Sequence, residues 1–177
     1  MPAHQPMSLQ LVTERLTMRP WDDTDVDDYR ALVGERDQRA RSAERGDLAP
    51  TVENIRERIA AQRAVTERTG LALLAVRRRV ESDFIGYCGL IVGRASVDEP
   101  EIAYELLRWV HGRGYATEAA RAVLDAAIET GRSRLWSTVR AWNAPSFRVL
   151  DKLGFRRDHV STDDSRGELV WLTRELP

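Results

Sequence analysis

The sequence predicts an α/β (α+β) fold: a mixed, largely antiparallel twisted sheet of about seven strands, flanked by about four helices. Three observations carry this. Leu71–Val76, Phe84–Val92 and Glu101–Leu107 are short apolar runs separated by turns too short to hold a crossover helix, so they form an antiparallel meander. Ala116, Ala119, Ala120, Val123, Leu124, Ala127 and Ile128 then recur at helical spacing between that meander and a further strand, Leu135–Arg140. A strand–helix–strand unit of that kind makes Leu135–Arg140 parallel to Glu101–Leu107.

The remaining elements follow in order. Leu9–Arg19 carries Leu11, Val12, Leu16 and Met18 and stops at Pro20, which predicts a first strand. Asp22-Asp23-Thr24-Asp25 places acids at a helix start, and Val26, Tyr29, Leu32 and Val33 give that helix an apolar side to about Arg36. Glu35–Leu48 is charged and lacks periodicity; it reads as a solvated connection or as a loop over a substrate mouth. Thr51 opens a second helix with Ile55, Ile59, Ala60 and Val65 on one side, and Gly70 stops it. Ala144–Leu153 forms a short helix ended by Gly154. Phe155–Ser161 and Glu168–Arg174 form a closing hairpin around Thr162–Gly167.

Composition sets the bounds. The chain has 177 residues, which predicts one domain spanning 1–177. Lys+Arg is 27 against 28 for Asp+Glu, and this balance excludes nucleic-acid binding by bulk positive charge. Lys152 is the only lysine. Cys88 is the only cysteine, so no internal disulfide and no zinc cluster form, and His4, His111 and His159 have no ligand spacing; no metal site is expected. No signal-peptide pattern and no 18-residue apolar run occur, so the expectation is a cytoplasmic protein without a membrane partner. A homodimer stays open as an assembly.

Two segments carry chemistry. In His111-Gly112-Arg113-Gly114-Tyr115-Ala116-Thr117 a strand leads in and the strongest helix leads out. The first amides of a helix lack intrahelical partners, and two glycines let a bulky anion approach the backbone. This is either a diphosphate cradle or an ordinary glycine-rich helix entry. The P-loop is excluded because no Gly-Lys-Ser/Thr is present, and the dinucleotide turn because several antiparallel strands precede it. The second segment is Asn143–Phe155, where Asn143 serves as a helix N-cap or as a ligand hydrogen-bonder, and Ser146 as a first-turn serine or as a functional hydroxyl.

Taken together, these residues resemble the GNAT superfamily of acyl-CoA-dependent N-acetyltransferases, in particular its RimJ/RimL-like branch, which acetylates protein N-termini and includes many small-amine acetyltransferases. The resemblance runs from Leu11–Trp21 through Phe84–Leu90 and Glu101–Leu106 to the glycine turn and Asn143–Phe155. The family's Gln/Arg-x-x-Gly-x-Gly/Ala signature falls on His111–Ala116, with His111 in the unusual first place. The resemblance implies acetyl-CoA as co-substrate, a cradle of Gly112, Arg113, Gly114, Tyr115, Ala116 and Thr117, and backbone support for the pantetheine arm and acetyl group from Leu106, Leu107 and Arg108. It gives Asn143 a cofactor-side role, and Ser146 a cofactor contact or the protonation of the departing thiolate.

The acceptor implied is a protein N-terminus or a small-molecule amine. An oxyanion donor is expected at the N–H of Leu107 or Arg108. Glu101 and Glu105 share one face of a strand and are the base candidates, Glu101 first, with an ordered water as the alternative. Thr138 stands where a related branch carries a glutamate. If Glu101 is the base, Glu101→Gln lowers kcat/KM mainly at low pH, and an unchanged pH–rate profile removes it from the mechanism. Asp163-Asp164 attracts a cationic acceptor or is a plain polar turn. Two rivals stand beside this: a polyamine- or aminoglycoside-type acetyltransferase, and a non-catalytic acyl-CoA-binding sensor.

Overall fold

The computed structural model describes residues 4–41, 47–163 and 166–177. Its strands are β1 (Leu11–Val12), β2 (Leu16–Arg19), β3 (Leu73–Arg78), β4 (Phe84–Ile91), β5 (Glu101–Leu106), β6 (Arg134–Arg140), β7 (Arg156–Asp163) and β8 (Gly167–Glu175). Its helices are α1 (Val26–Gly34), α2 (Val52–Thr69), α3 (Tyr115–Glu129) and α4 (Ala144–Lys152). The strands form one sheet in the order β1-β2-β3-β4-β5-β6-β8-β7, antiparallel throughout except for the parallel pair β5–β6. The meander, the parallel crossover through α3 and the closing hairpin are those expected from the residue pattern.

The sheet has eight strands where about seven were expected, because the chain reverses inside Leu9–Arg19. Thr13 closes that turn: its N–H donates to the Leu16 carbonyl at 2.9 Å, and its hydroxyl accepts from Leu16 N–H at 3.0 Å. Leu11 then pairs with Met18. Arg77 and Arg78 end β3, and Arg79 follows it. Arg77 pairs with Asp25 and Asp28, Arg78 with Glu81 and Asp83, and Arg79 donates to the carbonyls of Thr13 and Glu14.

Two apolar cores lie on the two faces of the sheet. One joins Leu74, Val76, Ile85, Cys88 and Ile102 to Ala120, Val123, Ala127 and Leu150 of α3 and α4. The other joins Ala75 and Phe84 to Trp21, Tyr29, Leu32, Ile55 and Ile59 of the α1–α2 side. Helix ends follow local chemistry: Thr51 and Asn54 form a capping box on α2, and Gly70 ends it at φ +70°. Asp25, fully buried, fixes α1 to the sheet through a fork from Arg19 at 2.8 and 2.9 Å and a bond from Arg77 at 2.8 Å. Burial alone would raise its pKa, but these two arginines hold it below the usual carboxylate range.

Cys88 is buried in the core, and burial pushes its thiol pKa up. Trp171 stacks on His159, and Trp136 meets both rings edge to face, whereas Trp109 is 45 % exposed. Among the described residues, no helix is long and apolar enough to cross a membrane, and no group of His, Cys, Asp and Glu is arranged around a metal.

Candidate active site

β5 and β6 meet at a single register pair, Glu101 with Trp136, and then part. Past that point the two strands are joined by side chains: the Ser137 hydroxyl donates to the Ile102 carbonyl at 3.3 Å, and the Thr138 hydroxyl donates to the Glu101 carboxylate at 2.7 Å. The far half of β5 therefore has an open edge. It leads into a cleft of about 710 Å³, walled on one side by the turn into α3 and the start of α4, and on the other by the end of α1.

The turn into α3 is built from backbone. Leu107 begins a 3₁₀ turn over Arg108–Val110, and Gly112 and Gly114 follow at φ +74° and +81°. An L-residue in that left-handed region costs roughly 1–2 kcal/mol, so both positions select glycine. Gly114 is the N-cap of α3 with no side chain to cap it. Among the described residues, the amides from Gly112 to Thr117 donate to no group of the chain; the first intrahelical bond runs from Glu118 N–H to the Gly114 carbonyl at 3.0 Å. A set of free amides at the positive end of a fifteen-residue helix is an anion cradle.

The cradle is held from outside. Arg15 donates to the Arg113 carbonyl at 3.0 Å and pairs with Glu118 at 2.6 Å, and the Thr13 hydroxyl donates to Glu118 at 2.6 Å. Burial would raise the Glu118 pKa, but the bonds from Thr13 and Arg15 hold it below the usual range. His111 stitches the turn to the sheet, with Nε2 at 2.9 Å from the Leu106 carbonyl. A carbonyl only accepts, so Nε2 carries the proton.

Several expected positions line the cleft: Leu106, Arg108, His111, Gly112, Gly114, Tyr115, Ala116 and Thr117, with Asn143 and Ser146. Leu107 and Arg113 are absent from that wall. The backbone near Leu107 is more occupied than expected. Leu107 N–H donates to Ile85 at 2.8 Å, and Arg108 N–H donates to the Glu35 carboxylate at 2.9 Å. Asn143 caps α4, its side-chain oxygen accepting from Ser146 N–H at 3.4 Å, so the capping reading holds in the geometry. Tyr104 donates its hydroxyl to the Ser146 carbonyl at 3.1 Å; burial raises its pKa, which keeps it neutral.

Glu101 is not on the cleft wall. It is 4 % exposed at the start of β5, where it accepts from Thr138 and from the Arg94 amide. Four residues on, at ~3.3 Å per residue, Glu105 does line the cleft. Its carboxylate is already engaged: Arg36 forks onto it at 2.7–3.0 Å, and Tyr87 donates its hydroxyl at 2.8 Å. Asp164 lies outside the described residues, as do residues 42–46 within the charged connection.

The start of the charged segment read from sequence as a solvated connection or a loop over a substrate mouth forms the opposite wall, though none of its residues was given a role. Glu35, Arg36 and Asp37 come from the end of α1, and Trp142 from the turn before α4. Arg39, paired with Asp37 at 2.8 Å, lies 4.1 Å from the Trp142 ring centre and so links the two sides of the cleft. No local pattern marks these positions, because the contacts of Glu35 with Arg108, Arg36 with Glu105 and Arg39 with Trp142 join elements distant in the chain.

A family model described as an acetyltransferase (GNAT) domain matches residues 15–156. The chain is 30 % identical over 158 residues to the probable N-acetyltransferase YjcK of Bacillus subtilis, covering 87 % of each chain. Its fold is similar to that of a putative GnaT-family acetyltransferase from Bordetella pertussis, with a TM-score of 0.81 and 24 % identity over 94 % of this chain and 99 % of that one. It is also similar to RimL, a ribosomal L7/L12 α-N-protein acetyltransferase in complex with coenzyme A, with a TM-score of 0.76 and 14 % identity over 93 % and 96 % of the chains. With a splayed sheet, a free-amide cradle and a family match over most of its length, the chain belongs to the GNAT family of acetyl-CoA-dependent N-acetyltransferases.

Proposed function

We propose that residues 1–177 act as one catalytic domain that transfers the acetyl group of acetyl-CoA to a primary amine by direct attack, the acceptor being a protein N-terminus or a small-molecule amine. The observation that carries this is the run of free amides from Gly112 to Thr117, opening on the same cleft as the unpaired edge of β5. The cradle fits a diphosphate: a side-chain carbon at Gly112 would meet nothing within 4 Å, and at Gly114 only Arg15 at 3.5 Å. The likeness to RimL, an α-N-protein acetyltransferase in complex with coenzyme A, supports a coenzyme A ligand and favours an N-terminal amine as acceptor.

In this reading Gly112–Thr117 hold the diphosphate, and the open edge at Leu106 supports the pantetheine arm. Arg108 N–H receives the carbonyl oxygen as it becomes an oxyanion, and Leu107 N–H, spent on Ile85, takes no part. Asn143 fixes the start of α4, which sets Ser146 at the cleft to protonate the thiolate as it leaves. Glu105 and Arg36 shape the acceptor wall.

An acceptor screen tests this. The chain is incubated with acetyl-CoA and a panel of peptides with free N-termini, polyamines, aminoglycosides and simple amines, and thiol release is followed. We expect release above hydrolysis for at least one primary amine. Binding of acetyl-CoA with no amine-dependent release across the panel would favour the non-catalytic sensor.

A further inference from the structure

We infer that Glu35 is a catalytic carboxylate with two positions: it rests on Arg108 N–H in the free chain, and when a thioester carbonyl takes that amide it turns to the acceptor's ammonium. This rests on the acetyl-transfer reading above and adds a base to it.

Three observations place the carboxylate. First, its Oε2 is 2.9 Å from Arg108 N–H, the second amide beyond the end of β5. That distance and that negative oxygen match what an oxyanion needs from a backbone donor, ~2.7–3.1 Å. The carboxylate oxygen thus stands in for the oxyanion and shows that the amide can donate to one. Second, the neighbouring amide is closed to this use, since Leu107 N–H is bonded to Ile85 within the sheet. Third, among the described residues Glu35 makes this one side-chain hydrogen bond and no ion pair, whereas the other carboxylates on the cleft wall are committed. Glu105 is forked by Arg36, and Asp37 is paired with Arg39. Of the cleft cations facing it, Arg36 is turned to Glu105 and Asp47. The Glu35 carboxylate is therefore the one on this wall that an incoming ammonium can claim without breaking an arginine pair.

The step balances as follows. An acceptor ammonium gives one proton to the Glu35 carboxylate, and its freed lone pair attacks the thioester carbon. A C–N bond forms and the carbonyl oxygen becomes an oxyanion on Arg108 N–H. Collapse breaks the C–S bond; the Ser146 hydroxyl gives its proton to the leaving thiolate and regains one from the nitrogen. Glu35 then releases its proton to water. Ammonium and thioester give amide, thiol and one proton.

The two positions make a testable coupling. A thioester carbonyl has to displace Glu35, whereas free CoA, which has no carbonyl there, does not. Acetyl-CoA and CoA are titrated separately into the parent chain, Glu35→Ala and Glu35→Gln, and turnover is measured with a primary amine at pH 7. In Glu35→Ala the ratio of acetyl-CoA to CoA affinity should rise about fivefold, the worth of one hydrogen bond no longer contested. In Glu35→Gln the amide oxygen still accepts from Arg108, so the ratio should stay near the parent's. Turnover should fall ~100-fold or more in both, the usual scale for loss of a positioned base. Parallel changes in the two affinities in Glu35→Ala would mean that Glu35 only tethers the end of α1, and would overturn the proposal. So would turnover in Glu35→Gln within twofold of the parent. Failure of the parent chain to bind acetyl-CoA would instead overturn the acetyl-transfer reading, on which this one depends.

Discussion

Gly114→Glu is expected to abolish acetyl-CoA binding, by more than 100-fold in calorimetric titration, with the far-UV signature of the fold intact. Steric clash is not the cause, because a side-chain carbon at this position meets only Arg15, at 3.5 Å. Two other effects act together. The residue sits at φ +81°, where an L side chain is strained by roughly 1–2 kcal/mol, and relaxing that strain turns the amides of Tyr115, Ala116 and Thr117 away from a common centre. The new carboxylate also stands at the positive end of α3, where it takes up the amides itself and repels a diphosphate. Gly114→Ala separates the two: it keeps the strain without the charge and should lose about tenfold. Raising salt should recover part of the affinity of the glutamate variant and little of the alanine variant's, since only charge is screened. Equal affinity for acetyl-CoA in parent and Gly114→Glu would move the phosphate site elsewhere.

The cradle was legible in the sequence because it is local. Two glycines, a strand before and a periodic helix after are neighbours in the chain, and backbone amides need no particular side chain. The meander, the parallel crossover and the Thr51 cap were legible for the same reason: each depends on patterns within or between elements consecutive in the chain. The β1–β2 hairpin was not, because its strands are two and four residues long and its turn depends on a side chain, Thr13, imitating a backbone acceptor. Glu101 and Glu105 were both base candidates because alternation along a strand gives the face a residue occupies. It does not give the distance along the strand to the cleft, and that distance separates the two. The acceptor wall was the least legible part. Glu35 meets Arg108, and Arg36 meets Glu105, across 73 and 69 residues, and in sequence both lie at the start of a charged stretch without periodicity. His111 shows the limit of a signature: it stands in the unusual first place, yet its ring ties the turn to Leu106.

The wall itself depends on one arginine, and Arg36→Ala is expected to be the most destabilising change near the site. The Arg36 side chain is 12 % exposed and joins Glu105 on β5 to Asp47, which has no exposed surface. Burial alone would lower its pKa, but the fork onto Glu105 raises it, so the guanidinium remains charged. Removing it takes from Asp47 and Glu105 the cation between them, while Arg58 stays on Asp47 at 2.8 Å and the Tyr87 hydroxyl on Glu105. Breaking a buried pair from one side costs ~3–5 kcal/mol. In a chain of this size that lowers Tm by roughly 10 °C. Arg36→Lys should recover less than half of the loss, since an ammonium cannot make the planar fork that meets Glu105. Pairing Arg36→Ala with Glu105→Gln separates charge from packing: the double variant should be at least ~1 kcal/mol more stable than the sum of the singles predicts, because the amide removes the unpaired charge. The same arginine anchors the end of α1 one residue from Glu35. The surviving protein should therefore show a raised KM for the amine, while its affinity for free CoA, held at the cradle on the far wall, stays near the parent's. Equal losses in both would mean that Arg36 supports the fold as a whole and does not set the acceptor wall.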